Sequence, residues 1–311
     1  MKKAIKWISI ILGTLLLVAT IACFYLKSKF VKLGTRKLEA QVTAIPIPSD
    51  SASLERGKLL AVGCRECHGH DYSGKDFFND PAIGYMSSPN LTPAQGSAVE
   101  NYTDLDWVRT LRHAINPKGR PLMVMPSEAI GLLGDQDLGC LIAYMKSIKP
   151  IEKPMGPTQF TFMANILAGA GLFGNLYPYD IIKHDAVQSI TAPAKAATKE
   201  YGFYFTQFHG CATCHGEQFN GFKSPDPVSP PGSNITTGGN FGKWNLDDFK
   251  NTLRSGKTPE GKILDAKFMP WPGIGVHEDV ELEALYLYLK SLPALPNSPT
   301  LEKALKKQKG T

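Results

Sequence analysis

The 311-residue chain has 34 Lys and Arg against 28 Asp and Glu, a net charge of +6, and only six Cys. The length fits two domains of ordinary size plus extra segments. The cysteine pattern excludes a disulfide framework. The cluster Lys303, Lys306, Lys307 and Lys309 near the C-terminus reads as a solvated tail (294–311), which excludes a nucleic-acid-binding arm.

Taken in chain order, the first predicted element is apolar. Trp7 to Leu26 forms a 20-residue run bounded by Lys6 and Lys27. At 1.5 Å per residue such a helix is about 30 Å long, the thickness of a bilayer core. It exceeds the 7–15-residue core of a cleavable signal peptide, so residues 7–26 are expected to be a retained membrane anchor, followed by a linker over 27–50. Thr20-Ile21-Ala22-Cys23 faintly resembles a lipoprotein cleavage box, but apolar residues continue beyond it. Cys23 is therefore read as a small residue inside the helix.

Residues 51–150 predict a first module of short helices. One starts at Ser53-Leu54-Glu55-Arg56 and ends near Gly63. Thr103 caps a second through His113, and a third runs from Asp135 to Ser147, stopped by Pro150. The Gly-, Pro-, Ser- and Asn-rich stretch from Tyr72 to Asn101 is expected to be loop. Residues 151–197 then form a connector. Its apolar part, Phe160 to Tyr177, is broken by Asn165 and three glycines. That predicts an inter-domain or membrane-surface helix rather than a second span. Residues 198–293 predict a second module with helices over Lys199–Phe208, Asn245–Arg254 and Glu278–Leu292 and a loop from Phe222 to Lys243.

The modules share one order of motifs. Cys64-Arg65-Glu66-Cys67-His68 answers Cys211-Ala212-Thr213-Cys214-His215. Asn90-Leu91-Thr92 answers Asn234-Ile235-Thr236, and Leu111-Arg112 answers Leu253-Arg254. Gly119 answers Gly261, Met125-Pro126 answers Met269-Pro270, and Tyr144-Met145-Lys146-Ser147 answers Tyr288-Leu289-Lys290-Ser291. A period above 140 residues makes these tandem domains, not a solenoid.

C-x-x-C-H is the attachment pattern of c-type haem: two thiols bond the porphyrin and the His ligates iron. Random scatter of these Cys and His would give about 0.003 copies, and the chain has two. Dithiol redox or zinc readings would need a βαβ pattern or further Cys/His pairs nearby. Two covalently bound haem c groups are therefore expected, on Cys64 and Cys67 and on Cys211 and Cys214, with His68 and His215 as iron ligands. Such a group also supplies the apolar mass that modules of about 95 residues with long loops need. For the sixth ligands, Met125 and Met269 each precede Pro at matching points; Pro stiffens the loop that holds the thioether. Met86 reads as packing. Asn90 and Asn234 read equally as propionate partners or loop caps, and Arg112 and Arg254 as exposed helix residues. His70, His113, His184, His209 and His277 lack partners in the opposite module and read as surface or loop residues. Cys140 reads as small and buried.

These residues give the chain its resemblance to bacterial membrane-anchored di-haem cytochromes c. It covers about residues 50–293 and rests on the C-x-x-C-H pairs, the Asn-Leu/Ile-Thr loops, the Gly119-Arg120 and Gly261-Lys262 turns, the Met-Pro pairs and the Tyr-x-Lys-Ser ends. The resemblance implies an all-α fold of two tandem class I cytochrome c domains, with Gly57 crossing Tyr144 and Gly202 crossing Tyr288. Similar chains include cytochrome subunits of periplasmic dehydrogenases, which often carry three haems where this chain has two motifs. It implies an electron carrier, not an enzyme, on the periplasmic face of the bacterial cytoplasmic membrane. Expected partners are a dehydrogenase, a quinol-oxidising complex, a terminal oxidase or a small cytochrome. A di-haem peroxidase or thiosulfate dehydrogenase is the alternative.

Overall fold

The computed structural model describes residues 2–224 and 229–309. Its first element, α1 (Lys2–Thr35), is one 34-residue helix. Its most apolar 18-residue stretch has mean hydropathy 2.4 and no buried residue. The helix runs nine residues beyond the apolar stretch, so the expected linker begins as helix. The chain from residue 36 then packs on the first module: Leu38 N donates to Gly119 O at 2.9 Å, and Ile45 is buried.

The first module holds α2 (Ser51–Leu60), α3 (Arg65–His68), α4 (Asp104–His113), α5 (Ser127–Ile130) and α6 (Asp135–Ser147). The connector contributes α7 (Phe162–Gly169). The second module repeats the order with α8 (Lys199–Phe208), α9 (Cys211–His215), α10 (Leu246–Ser255), α11 (Trp271–Gly275) and α12 (Asp279–Ser291). Local chemistry accounts for the boundaries. Thr103 and Asn245 each form a capping box, with Asp106 and Asp248, before α4 and α10; such boxes satisfy two otherwise orphaned backbone groups. Ala114 and Gly256 end the same helices in left-handed conformation.

The first and last helices of each module cross where a glycine removes the side chain. A Cβ at Gly57 would lie 1.9 Å from Cys140 O and 2.8 Å from Tyr144 Cβ; one at Gly202 would lie 2.0 Å from Ala284 O and 2.6 Å from Tyr288 Cβ. Any larger residue would force the α2–α6 or α8–α12 pair apart. Cys140 is buried at this crossing, as expected.

Three expectations change. The stretch from Tyr72 to Asn101 is not all loop: β1 (Lys75–Asp80) and β2 (Gly84–Ser88) form a hairpin, and β3 (Gln159–Phe160) joins as a third antiparallel strand. Asp80 Oδ1 accepts from Ala82 N and Ile83 N, which stabilises the turn. In the second module β4 (Asn220–Phe222) pairs with β5 (Gly232–Asn234); residues 225–228 of that predicted loop lie outside the described residues. The connector carries a helix, α7, where one is expected, and it is tied to the first module as well. It pairs through β3, and Ile190 N and Ser189 Oγ donate to Asp135 at the start of α6. Finally, the C-terminal tail forms α13 (Pro299–Lys309). Leu301 is buried, with Cδ2 packed over Gly221, while Lys303, Lys306 and Lys307 stay exposed.

Candidate haem sites

Each C-x-x-C-H segment forms one short helical turn that ends on a glycine at positive φ, Gly69 (85°) or Gly216 (82°). That reversal lets the next residues return toward the histidine. His68 Nδ1 lies 2.8 Å from Pro89 O, and His215 Nδ1 lies 2.7 Å from Ser233 O. A carbonyl only accepts, so Nδ1–H donates in both. Nε2 is then the unprotonated nitrogen, the form a metal takes. Burial lowers both imidazole pKa values, against a smaller upward pull from the carbonyls, so both rings are neutral at pH 7.

Cys64 and Cys211 keep some accessible area, yet burial pushes their thiols up to about 11 and about 12. Reactive redox dithiols need the opposite shift. Among the described residues no group of three or more His, Cys, Asp or Glu forms a metal cluster, which removes the zinc reading. The donor set therefore fits covalently attached haem.

Met125 and Met269 occupy the same local structure. Ser127 N donates to Met125 O at 2.7 Å and Trp271 N to Met269 O at 2.6 Å. The prolines between them sit at φ −77°, ψ 54° and φ −75°, ψ 50°. Each is an inverse γ-turn, a three-residue reversal closed by one hydrogen bond. Both methionines are partly buried against the core, as are Cys64 and Cys211. Met86 is buried in β2.

The Asn-x-Thr loops pin the chain. Asn90 Nδ2 donates to Ile151 O at 2.8 Å, and its Oδ1 accepts from Thr92 N and Oγ1. Asn234 Nδ2 donates to Leu295 O at 2.9 Å, and its Oδ1 accepts from Thr236 N and Oγ1. Both ends of each amide are thus used by the protein.

Arg112 is fully buried, not exposed. It donates to Gly131 O, to Leu133 O at 2.8 Å and to Asp135 Oδ1 at 2.5 Å, and so ties α4 to the start of α6. Arg254 is largely exposed beside Asp279.

Two histidine pairs also contradict the surface reading; of the five, His70 alone is exposed. His113 is buried, with Nδ1 3.0 Å from His184 Nδ1, and His184 Nε2 lies 3.1 Å from Tyr179 O. The carbonyl fixes the tautomers: His184 Nε2–H donates to Tyr179, and His113 Nδ1–H donates to His184. Burial and His184 lower the His113 pKa to about 4. A base with a depressed folded pKa stabilises fully above its unfolded value, about 6.5, and loses that contribution as pH falls toward 4. Between pH 7 and pH 4 this group should cost the fold on the order of 2 kcal/mol. Urea midpoints of His113→Asn and the parent chain test this: the variant's midpoint should fall less over that interval.

The second pair belongs to a network that sequence reasoning missed. Arg56 of α2 donates to Asp137 (2.8 and 3.0 Å), to Glu281 Oε1 (2.7 Å) and to Tyr201 Oη (3.0 Å). Tyr201 donates to Glu281 and Tyr204 to Asp137, both at 2.7 Å. His277 Nδ1 lies 3.1 Å from Glu281 Oε2, and His277 Nε2 lies 3.1 Å from His209 Nε2. Arg56 and Tyr201 each precede the crossing glycine of their module. Asp137 and Glu281 are each the third residue of its last helix. The interface thus uses equivalent positions from both halves, and the acids at matched helix positions were its one sequence signal. Glu281 is fully buried. Burial alone would raise its pKa, but His277 and Arg56 hold the carboxyl well below the usual range.

The modules also meet beside their haem motifs. A Cβ at Gly273, in the helix after Met269, would lie 3.8 Å from Gly63 Cα, next to Cys64. A Cβ at Gly210, next to Cys211, would lie 3.3 Å from Ala129 Cβ, in the helix after Met125. Each methionine-side helix therefore abuts the other module's cysteine segment.

Residues 54–149, the first module, match the Cytochrome c family model, so the chain contains a cytochrome c domain. Curated relatives agree. The fructose dehydrogenase cytochrome subunit of Gluconobacter japonicus is 26% identical over 85% of this chain and 58% of its own length. The cytochrome c subunit of the quinone alcohol dehydrogenase of Gluconacetobacter polyoxogenes is 24% identical over 80% and 58%. The gluconate 2-dehydrogenase cytochrome c subunit of Pantoea cypripedii is 23% identical over 81% and 62%. The chain thus spans about three fifths of the length of these three relatives.

Proposed function

We propose that this chain is a di-haem c-type cytochrome that carries single electrons between periplasmic or membrane redox partners of a respiratory chain. It is built as two tandem class I cytochrome c domains on a transmembrane anchor over residues 7–26. Cys64, Cys67 and His68 hold one haem; Cys211, Cys214 and His215 hold the other. Met125 and Met269 close the sixth positions. The observation that carries this reading is the duplication of the site itself. The second module rebuilds the imidazole–carbonyl bond and the Met-Pro γ-turn of the module that matches the cytochrome c family.

A haem bound this way supplies a one-electron iron couple whose potential a thioether ligand raises. The residues do the rest. Pro89 and Ser233 carbonyls orient the imidazoles, the γ-turns hold the thioethers, and the reciprocal contacts keep the two sites at one separation. Electron transfer falls off steeply with distance, so haems held there at a fixed separation would exchange electrons from module to module at a defined rate.

The donor is a flavin or quinone dehydrogenase; the relatives' names support a dehydrogenase partner. A quinol-linked complex, terminal oxidase or smaller cytochrome would be the other partner. Module one, nearer the anchor, serves membrane partners and module two soluble ones. The relatives are named as cytochrome subunits of dehydrogenases, which disfavours the peroxidase or thiosulfate dehydrogenase reading.

The test is a haem count and a redox titration of the full chain. The parent should hold two covalent haems, take up two electrons in one-electron steps and give a reduced spectrum indifferent to carbon monoxide. Cys64→Ser/Cys67→Ser should hold one. A single haem in the parent, or carbon monoxide binding, overturns the proposal.

A further inference from the structure

We infer that α7 and the turn that follows it form a second membrane contact, lying in the headgroup layer of the bilayer that α1 crosses. The inference rests on the anchor reading above and adds a surface to it.

Depth is the first argument. α7 packs along α1 at the end of its apolar run. A Cβ at Gly169 would lie 2.0 Å from Leu26 O, so the two backbones touch at the last apolar residue of the anchor. The Phe162 ring meets the Phe24 ring edge-on at 5.6 Å. At 1.5 Å per residue Phe24 sits about 3 Å inside the membrane relative to Leu26. If α1 spans the bilayer, the N-terminal end of α7 stands at the boundary between headgroups and acyl chains.

Composition is the second. No charged residue stands between Lys153 and Asp180. α7 turns Ala164, Ile166 and Gly169 inward. It leaves Phe162 44% exposed and Met163 57% exposed, and Leu172 in the following turn is 69% exposed. Apolar side chains of this size facing water would be costly, whereas an interfacial helix buries them by about 5–10 Å. The covering surface is lipid, because these residues share the depth of the anchor's own end.

Charge is the third. Lys27 Nζ sits 5.1 Å from the Phe162 ring centroid, and Lys29 and Lys32 follow on the same helix. Lysines just outside a span reach headgroup phosphates, most strongly those of anionic lipids. The packing on α1 extends past the apolar run. Phe30 is buried between Phe160 and Tyr177, at 5.7 and 5.9 Å. Through β3 the same segment joins the first module's sheet. The contact would therefore fix the height and tilt of module one over the membrane, which a single helix followed by a free linker would not.

Thiol accessibility tests this in the full chain, reconstituted in vesicles of phosphatidylethanolamine and phosphatidylglycerol. Single variants Leu16→Cys, Met163→Cys, Leu172→Cys and Leu105→Cys, in a Cys23→Ser background, are reacted with a membrane-impermeant maleimide. All four positions are exposed in the fold, and Leu105 is the least so, at 41%. Fold exposure alone therefore ranks positions 163 and 172 ahead of 105. The inference reverses that order: 163 and 172 should react at least about tenfold more slowly than 105, because a thiol held in apolar surroundings forms little thiolate. Position 16 should not react. If 16 is protected while 163 and 172 keep pace with 105, the anchor stands and the second contact is wrong. If 16 reacts like 105, the anchor reading falls and this inference with it. The haem spectrum of each variant confirms that it has folded.

Discussion

Arg56→Ala should destabilise the chain by about 3–5 kcal/mol, the usual cost of removing one partner from a buried ion pair. The guanidinium serves two carboxylates of different modules, Asp137 and Glu281, at 2.7–2.8 Å. Glu281 has no exposed side-chain area and Asp137 has 14%. Without Arg56 the two carboxyls lose their shared cation in a site that water barely reaches. Lys offers a point charge in place of a planar fork, so Arg56→Lys should recover only part of the loss. Glu281→Gln added to Arg56→Ala should be cheaper than the sum of the single changes, because it removes the stranded charge. Urea denaturation at pH 7 measures all three. A cost below about 1 kcal/mol for Arg56→Ala would place the network among solvated surface pairs. The pH dependence has a definite sign. A carboxyl depressed in the folded state stabilises above its unfolded pKa of about 4.3, and that contribution is lost as pH falls through the folded value. The network should therefore weaken in two stages: His209, held well below the ordinary imidazole pKa by burial and His277, gives up its contribution from mild acid downward, and Glu281 gives up its own progressively below about pH 5.

What the sequence revealed, and what it hid, follows the range of the interactions. The helix starts at Thr103 and Asn245 were legible because a cap and its partner lie three residues apart. The Gly57 and Gly202 crossings were legible through the resemblance, since spacing alone does not join residue 57 to residue 144. Duplication made the candidate ligands visible, because each motif recurs at the same point of both halves. The hairpin from Lys75 to Ser88 was hidden by its own composition: its Gly, Asn, Pro and Ser residues also suit a loop, and β3, which completes the sheet, comes some 70 residues later. The histidine pairs were hidden for the same reason, with partners 71 and 68 residues apart. Searching for a counterpart in the opposite module misled there, since neither pair follows the repeat. Arg112 and Arg254 show the limit of the repeat directly. They hold equivalent positions, yet one is buried across the carbonyls before α6 and the other lies at the surface.

Met269→Ala should open one haem of the pair and leave the other closed. Met269 is the sole methionine after Met163 in the whole chain, so the second module holds no other thioether. The γ-turn that positions it recurs at Met125 with nearly the same proline angles. Two unrelated packing residues would have no reason to share so specific a turn. Removing the thioether should let carbon monoxide bind about half of the reduced haem. The potential of that haem should fall by on the order of 0.1–0.3 V, a fraction of the roughly 0.8 V that axial ligands span. Met125→Ala should do the same to the other haem, and the two effects should add, because they act on separate irons. Met269→His distinguishes ligation from packing. An imidazole there would again close the site to carbon monoxide while leaving the potential low, whereas a mere loss of packing would leave it open. If Met125→Ala changes neither carbon monoxide binding nor potential, Met123 is the only other methionine in that loop. The ligand would then stand one turn ahead of the proline that makes the two sites alike.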